Sequence, residues 1–336
     1  MKRVLVTGGL GFIGSNFVRF LLKKYPDLQV VNYDLETYCG NPENLKDIEK
    51  EPRYHFVRGN ICDGEAVEKA MKGCSAVFNF AAHTHVDRSI LKADEFIHTN
   101  VYGATTLLET AKRIGLEKFI QVSTDEVYGS TEKGSFSEES PLDPSSPYSA
   151  SKASADLLAL AYFKTYGLPV VITRCTNNYG PYQYPEKLVS LFITHAIEGR
   201  KLPLYGDGLN VREWIYVLDH CEALECVWKK GKEGDVYNIG SGEEIANKEM
   251  SLAILKELGK PSTLIEYVKD RPGHDRRYSV NSKKVRSLGW APRRSFKEAL
   301  HETVLWYQGH EPWWKRLKEK KKEFQEYYDI QYGVKE

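Results

Sequence analysis

The sequence predicts an α/β protein built on a parallel β-sheet. Short apolar runs recur along the first half of the chain, and helical patterns of apolar residues separate them. Runs of this kind are typical of strands that are buried on both faces of a parallel sheet. The first run, Val4-Leu5-Val6-Thr7, leads into a glycine-rich turn and then into a helical pattern that includes Phe17 and Leu21. A chain of 336 residues can bury a sizeable core, in two lobes or in one large domain.

The overall charge gives no reason to expect nucleic acid or a membrane as a partner. The chain has 47 Lys and Arg residues against 46 Asp and Glu residues, a net charge of +1. The apolar run near Met1 is too short for a signal sequence or a membrane span. The six cysteines are scattered without a C-x-x-C pair or a matching histidine spacing, which is typical of reduced thiols. We therefore expect a cytoplasmic protein without a metal centre.

The first turn has the spacing of a dinucleotide-binding loop. Gly8 permits the tight turn, Gly11 lets the backbone approach a pyrophosphate, and Gly14 lets the helix pack closely on the strand. A second strand, residues 29–33, ends at Asp34, whose carboxylate would accept hydrogen bonds from a ribose and repel a 2′-phosphate. The predicted cofactor is therefore NAD rather than NADP, with an ordinary turn residue as the alternative for Asp34.

Two adjacent acids follow the apolar strand at residues 118–122. Thr124, Asp125 and Glu126 would lie in the loop after its carboxyl end, where open α/β sheets bind ligands. Neighbouring carboxylates repel each other and resist burial, so a functional site is favoured over a solvated loop with a capping aspartate.

A tyrosine and a lysine stand four residues apart at the start of a later helical pattern. Tyr148 and Lys152 therefore share one helix face. An ammonium group in that position can stabilise a phenolate, so the tyrosine could act as a base near neutral pH. Taken alone, the two side chains would be ordinary surface residues, and the glycine turn and Thr124 are what favour catalysis.

These motifs together resemble the extended short-chain dehydrogenase/reductase superfamily, whose first turn reads Thr-Gly-Gly-x-Gly-Phe-Ile-Gly, as residues 7–14 do. The resemblance implies a doubly wound, Rossmann-type parallel sheet with a smaller mixed α/β C-terminal lobe for the substrate. It implies an NAD-binding domain at residues 1–176, into which some later segments cross back. A nucleotide-sugar-binding lobe with C-terminal helices would then occupy residues 177–336. A homodimer is also implied, formed by the helix that contains Leu107 and Leu108, although this face could equally pack on the sheet.

Further cofactor contacts are implied by the same resemblance. Family members usually carry aspartate in place of Asn60, where it contacts the adenine amino group. The side-chain carbonyl of Asn60 can accept the same hydrogen bond. The other implied cofactor residues are Phe12, Ile13, Ile61, Ala81, Ala82, Tyr148 and Lys152.

The resemblance also implies an activity. Thr124, Tyr148 and Lys152 match the superfamily's catalytic Ser/Thr–Tyr–Lys set, and Thr124-Asp125-Glu126-Val127-Tyr128-Gly129 resembles the loop of nucleotide-sugar 4,6-dehydratases. These enzymes are NAD-dependent hydro-lyases, and the implied substrate is dTDP-glucose, converted to its 4-keto-6-deoxy product. We expect Asp125 to protonate the departing 6-hydroxyl oxygen and Glu126 to take the C5 proton, so the pKa values of the two must be pushed apart.

Other activities stay open at this point. The alternatives are a 4,6-dehydratase or a 4-epimerase that acts on a UDP-, GDP- or CDP-sugar, although epimerases usually have small residues at Asp125 and Glu126. A regulatory protein on the same fold would lack the reactive pair, and both Tyr148 and Lys152 are present.

The implied substrate residues are spread over the second half of the chain. Arg212 and Arg271 are the predicted diphosphate clamps, because guanidinium forks match phosphate oxygens. Pro203 and Tyr205 would lie against a pyrimidine ring, with an ordinary strand aromatic as the alternative for Tyr205. The remaining predicted substrate residues are His85, Asn177, Lys187, Leu188, Asn247 and His274. Family members usually have Glu-Ser in place of His83-Thr84.

Overall fold

The computed structural model describes residues 2–270 and 273–320. The strands are β1 (Arg3–Thr7), β2 (Gln29–Asp34), β3 (Tyr54–Arg58), β4 (Ala76–Asn79), β5 (Lys118–Thr124), β6 (Val170–Cys175), β7 (Asn177–Tyr179), β8 (Leu202–Tyr205), β9 (Val211–Tyr216), β10 (Val236–Ile239), β11 (Glu244–Ala246) and β12 (Ile265–Val268). The α-helices are α1 (Phe12–Lys24), α2 (Gly64–Met71), α3 (Val86–Leu91), α4 (Ala93–Phe96), α5 (Ala104–Ile114), α6 (Pro147–Tyr166), α7 (Leu188–Glu198), α8 (Val217–Lys230), α9 (Asn247–Glu257), α10 (Lys283–Ser287), α11 (Phe296–Gly309) and α12 (Glu311–Lys320).

Seven parallel strands form the main sheet, in the order β10-β6-β5-β4-β1-β2-β3. The chain runs outward from β1 to β3, and then returns to β4 on the other side of β1. The carboxyl ends of β1 and β4 therefore flank the point where the strand order reverses, which is where such sheets bind ligands. The predicted fold class is confirmed.

Helices cover both faces of this sheet. Val4 and Val6 of β1 pack with α1 and α8 on one face, whereas Leu5 packs with α2, α5 and α6 on the other. The alternation follows from the strand geometry, which points successive side chains to opposite faces. Each fully buried aliphatic side chain contributes about 1.5–3 kcal/mol, so these two layers hold the strand ends in fixed positions.

The later part of the chain builds a second core around α7, α9 and α11. A three-stranded sheet, β11-β9-β7, and the parallel pair β12-β8 lie in this part. Asn177, a predicted substrate residue, lies in the short strand β7, which pairs with β9. Strand β10 joins the first sheet beside β6. The domain boundary at residue 176 stays a prediction.

The helix expected around Val101 has two kinds of geometry. Residues Ile97–Gly103 are π-helical and continue directly into α5. Such π-helical turns are frequent at functional sites, and this one carries Asn100 towards the sheet edge. Within residues 2–270 and 273–320, we find no helix that combines the length and the apolar character of a membrane span.

Candidate active site

The two acids lie in a short 3-10 turn, Asp125–Tyr128, at the end of β5. Thr124 is the last residue of β5, where it pairs in register with Cys175 of β6. Its hydroxyl accepts a hydrogen bond from the Glu126 amide at 3.3 Å and donates to the Asp125 carboxylate at 3.2 Å. The strand end therefore fixes the direction in which the turn presents both acids.

The environments of the two acids differ. Asp125 is 3% exposed, whereas Glu126 is only partly buried. Burial raises the pKa of Asp125 well above its usual value, and the nearby Glu126 and Glu213 carboxylates raise it further. The hydrogen bond with Thr124 and the charge of Arg212 oppose this shift. The environment of Asp125 therefore favours its protonated form, which is the direction that its predicted role as an acid requires.

Tyr148 and Lys152 point inward from the first turns of α6. They are 7% and 5% exposed, and the Lys152 ammonium donates to the Val122 carbonyl oxygen at 2.7 Å. Burial lowers the pKa of Lys152, while the Asp156 carboxylate opposes that change. Burial, Glu126, Cys175 and Asp125 raise the pKa of Tyr148 well above its usual value, against a hydrogen bond with Thr124. The stabilisation of a Tyr148 phenolate by Lys152 stays a prediction.

A buried polar network supports the site from beneath. The Arg174 guanidinium pairs with Asp156 at 2.9 Å and also donates to the Tyr128 hydroxyl at 2.8 Å. Tyr128 in turn donates to the Asn238 side chain at 2.8 Å. Asp156 and Arg174 are 0% and 3% exposed. The network thus joins α6, β6, the catalytic turn and β10.

The glycine turn leaves no room for side chains at the predicted pyrophosphate site. A Cβ atom on Gly14 would lie 2.4 Å from the Gly8 carbonyl oxygen, and one on Gly8 would lie 2.7 Å from the Ala81 nitrogen. Gly8 also has a φ angle of 69°, which favours glycine. The bare backbone at the start of α1 suits a phosphate group.

Asp34 is buried at the end of β2. Its carboxylate accepts hydrogen bonds from the Leu10 amide at 2.9 Å and the Glu36 amide at 2.8 Å. Each carboxylate oxygen keeps a second lone pair for a ribose hydroxyl. Asn60 similarly accepts from the Cys62 amide at 2.9 Å through its side-chain oxygen, which also keeps acceptor capacity.

One cavity brings most of the predicted residues together. It runs from the glycine turn, across the end of β4, to the catalytic turn and the start of α7. All five predicted catalytic residues and all the predicted cofactor residues line it. The predicted substrate residues on its wall are Asn177, Lys187 and Leu188.

The other predicted substrate residues do not line this cavity. Arg212 is buried, donates to the Asp275 carbonyl oxygen at 2.9 Å and lies 4.3 Å from the centre of the Tyr278 ring. Tyr205 packs against His274, and its hydroxyl lies 3.5 Å from a carboxylate oxygen of Asp87. The remaining ones in the described part are His85, Pro203 and Asn247. Arg271 lies outside the described residues, and its role stays a prediction.

Several residues of the cavity wall were missed by the sequence analysis. Glu186 is 4% exposed and pairs with Arg88 at 3.2 Å, and Gln183 and Tyr184 lie beside it. Glu186 directly precedes Lys187, which the sequence analysis did identify. An acidic residue next to a predicted substrate residue, in a segment rich in turn residues, could have indicated that Glu186 also belongs to the site. The sequence analysis also did not identify Asn100, which holds the cavity wall in place. Its side-chain oxygen accepts a hydrogen bond from the His83 amide, and its side-chain nitrogen donates to the His83 carbonyl oxygen and to the Ser151 hydroxyl of α6.

The fold and the site define an extended short-chain dehydrogenase/reductase, because a buried Thr–Tyr–Lys set lies in one cavity with a glycine-rich turn. Comparison with known families agrees. Residues 5–303 match the family model described as GDP-mannose 4,6 dehydratase. The dTDP-glucose 4,6-dehydratase of Streptomyces griseus is 52% identical over 317 residues, which cover 94% of this chain and 96% of the relative. The chain belongs to this family, and within it to the dTDP-glucose 4,6-dehydratases.

Solved structures give the same fold. The dTDP-glucose 4,6-dehydratase of Streptomyces venezuelae, solved with NAD bound, has a TM-score of 0.92 and 50% identity, covering 94% of this chain and 99% of its own. The UDP-glucose 4-epimerase of Thermus thermophilus, solved in complex with NAD, has a TM-score of 0.85 and 32% identity, covering 92% and 99%. Dehydratases and epimerases thus share this architecture, and the side chains of the site must distinguish them.

Proposed function

We propose that this protein is an NAD-dependent hydro-lyase that dehydrates dTDP-glucose to dTDP-4-keto-6-deoxy-glucose. The observation that carries the proposal is the buried Asp125 beside Glu126, in one cavity with Tyr148 and Lys152. A 4-epimerase only removes a hydride and returns it, so it needs no acid for a leaving hydroxyl. The pair of carboxylates therefore favours dehydration over epimerisation of a UDP-sugar.

The residues of the site fit bound NAD. Side chains at Gly8 and Gly14 would collide with neighbouring backbone, so only glycine allows the turn this tight path at the start of α1. The Asp34 carboxylate is held by the Leu10 amide of the same turn, where it would accept hydrogen bonds from a ribose. In the described part of the chain, the buried Asn177 side-chain oxygen has no hydrogen-bond partner, and Asn177 is one of the residues that line the same cavity. When bound, NAD supplies the acceptor and later the donor of a hydride, together with a positive charge beside Tyr148.

Tyr148 would take the proton of the 4-hydroxyl while C4 is oxidised, with Thr124 bonded to the same oxygen. Because burial and nearby carboxylates raise the pKa of Tyr148, deprotonation needs positive charge close by. Lys152 supplies one such charge from a fixed position, since the Val122 carbonyl holds its ammonium group. Oxidation is therefore expected only when the site is fully assembled.

The two carboxylates would then divide the elimination. The 4-keto group acidifies C5, and Glu126 takes the C5 proton as a general base. Asp125, whose pKa is raised by burial and by Glu126, gives its proton to the departing 6-hydroxyl oxygen, which leaves as water. Glu126 finally returns a proton to C5 as the hydride returns to C6. The turnover leaves Tyr148 protonated and Asp125 ionised, so one proton must pass from the tyrosine to the aspartate, directly or through solvent, before the next substrate reacts.

We further propose a cytoplasmic homodimer. The described cysteines are all free thiols, as expected for a reducing compartment. Leu107 and Leu108, which we had predicted at the interface, are instead buried against the sheet. Large apolar side chains are exposed on the neighbouring π-helical segment and α6, among them Ile97, Tyr102 and Leu157. Such a patch supports burial against a second copy. Sedimentation at several concentrations tests the dimer, and a monomer at all of them would contradict it.

The substrate assignment is tested with dTDP-glucose that carries deuterium at C4. The purified enzyme should convert it to the 4-keto-6-deoxy product, with deuterium recovered at C6 by mass spectrometry and NMR. UDP-glucose, GDP-mannose and CDP-glucose serve as matched substrates in the same assay. Product without deuterium at C6 would contradict the mechanism, and conversion of UDP-glucose alone, to its epimer, would contradict the function.

A further inference from the structure

The segment 180–187, between β7 and α7, forms one wall of the cavity. Gln183, Tyr184, Glu186 and Lys187 all line the cavity from this segment. Lys187 also donates to the Thr84 carbonyl oxygen at 3.1 Å, on the opposite side. The segment has no regular secondary structure up to α7, so its path must be held by side-chain contacts.

Tyr182 has an unfavourable backbone conformation in the middle of this segment. Its φ angle is 67°, in the left-handed region that large side chains rarely adopt. Among residues 2–270 and 273–320, the only other non-glycine residue with a positive φ is Glu36. An unfavourable conformation of this kind persists only where surrounding contacts stabilise it.

The contacts that stabilise it come from three distant helices. The Arg19 guanidinium of α1 lies 4.2 Å from the centre of the Tyr182 ring. Trp306 of α11 and Trp313 of α12 lie 4.6 Å and 5.9 Å from the same ring, centre to centre. We call Arg19, Tyr182, Trp306 and Trp313 the aromatic clamp. A ring held from several sides in this way fixes the backbone that carries it.

The residues on either side of Tyr182 are held as well. The Asn16 amide of α1 donates to the Pro181 carbonyl oxygen at 2.9 Å. The Tyr307 hydroxyl of α11 donates to the Gln183 carbonyl oxygen at 2.5 Å. The helices therefore contact three consecutive residues, Pro181, Tyr182 and Gln183, and Gln183 is itself part of the cavity wall.

The same helices also contact the cofactor side. The Trp313 indole nitrogen donates to the Asn44 side-chain oxygen at 2.9 Å, and the Asn44 amide donates to the Leu10 carbonyl oxygen at 2.8 Å. Leu10 belongs to the glycine turn and donates to Asp34. Through these contacts, α11 and α12 together connect to both walls of the cavity.

We infer that Tyr182 is a positioning residue, through which α11 and α12 hold the segment 183–187 in register with the catalytic turn. Its ring touches no group that we assign to the reaction, so it acts through the backbone that places Glu186 and Lys187. The inference deepens the proposed dehydratase function and rests on it for its kinetic consequences. Its structural consequence, the order of residues 183–187, does not depend on the substrate.

Three substitutions of Tyr182 distinguish the effect of its ring from the effect of its backbone conformation. Y182F keeps the ring in the clamp. Y182G removes the ring but accommodates the positive φ angle, whereas Y182A removes the ring and keeps the unfavourable conformation. We expect Y182F to match the wild type. We expect Y182G and Y182A to lower kcat/KM about tenfold to a hundredfold, the cost of misplacing groups at an active site by about 1 Å.

The exchange rates of the backbone amides distinguish a positioning role from a general contribution to stability. In Y182G we expect faster exchange confined to residues 183–187, while α6 and β5 exchange at the wild-type rate. Unchanged exchange at 183–187, faster exchange across the whole chain, or faster exchange with normal kcat/KM would each overturn the inference. Normal kcat/KM and normal exchange in Y182G, with both impaired in Y182A, would also overturn the inference. The contacts of the ring would then serve only to offset the unfavourable φ angle.

The failure of this inference is distinguishable from failure of the proposed function. A wild-type enzyme that leaves dTDP-glucose unchanged would refute the function, and hydrogen exchange in the same three variants would still decide the role of Tyr182. A wild-type enzyme that turns over dTDP-glucose, with Y182G equal to it in kcat/KM and exchange, would refute only the positioning role.

Discussion

On the cofactor side of the cavity, Gly8, Asp34, Ala81 and Thr124 lie at or just beyond the carboxyl ends of β1, β2, β4 and β5. On the substrate side, the wall comes from the segment 180–187 and from β9, and helices near the end of the chain hold it in place. The first side therefore depends on local turns of parallel strands. The second depends on contacts between residues that are far apart in the sequence, and variants should affect the two sides differently.

The largest effect is expected on the cofactor side, from Y148F. Removing the phenolic oxygen removes the base for the 4-hydroxyl proton, so kcat should fall about a thousandfold, within the range for lost acid–base catalysis. Rapid mixing with dTDP-glucose should then give no NADH absorbance. The matched control is Y267F, an exposed tyrosine on β12, which should have normal kcat. Rapid NADH formation by Y148F would contradict its role.

Substitution of Asp125 or Glu126 should stop the reaction at the elimination step, after C4 has been oxidised. D125N should lower the rate of elimination about a hundredfold while C4 oxidation continues, so NADH should accumulate. E126Q should also allow oxidation, but should lose exchange of the C5 proton with deuterated water, whereas D125N should retain that exchange. Rapid-quench mass spectrometry follows both steps. Full dehydration by either variant would remove that residue from its assigned role.

The pH dependence should run in opposite directions for the two steps. Asp125 acts in its protonated form, and its pKa is raised by burial, Glu126 and Glu213, so the rate of elimination should fall about tenfold per pH unit once the pH exceeds that raised pKa. Tyr148 must lose a proton, and its pKa is raised too, so oxidation should slow as the pH falls.

Single-turnover measurements of both steps across the pH range check this prediction. The other titratable groups whose charges act on Asp125 or Tyr148 are Glu126, Cys175, Arg212 and Glu213. A common pH dependence for both steps would show that Asp125 is not the acid.

A smaller effect is expected on the substrate side, from R212K. If the guanidinium binds the diphosphate, lysine loses the paired hydrogen bonds, and KM for dTDP-glucose should rise about tenfold with little change in kcat. The control is R276K, because Arg276 is exposed and pairs with Asp207. A normal KM would mean that Arg212 serves only the packing around Tyr278 and Asp275, and would confine the substrate site to the cavity wall.

The sequence was most informative where one local rule decides the structure. The glycine spacing, the acid after β2 and the Tyr148/Lys152 spacing each follow from a turn or a helix repeat, and all of these residues line one cavity. The sequence was less informative about Glu186 and the aromatic clamp. Trp313 and Tyr182 are far apart in the sequence, and the packing of the second core is what brings them into contact. The raised pKa of Tyr148 was also missed, since burial depends on the packed structure.

The ion pair between Asp156 and Arg174 has a consequence for how this protein can diverge. Loss of either partner alone would leave the other charge buried without its ion-pair partner, a cost of about 3–5 kcal/mol and a large share of the stability of a typical domain. Replacement of both by apolar residues would be far less costly. We therefore expect the two positions to change together among descendants of this sequence, because a lineage that passes through a single change would fold poorly at the intermediate stage.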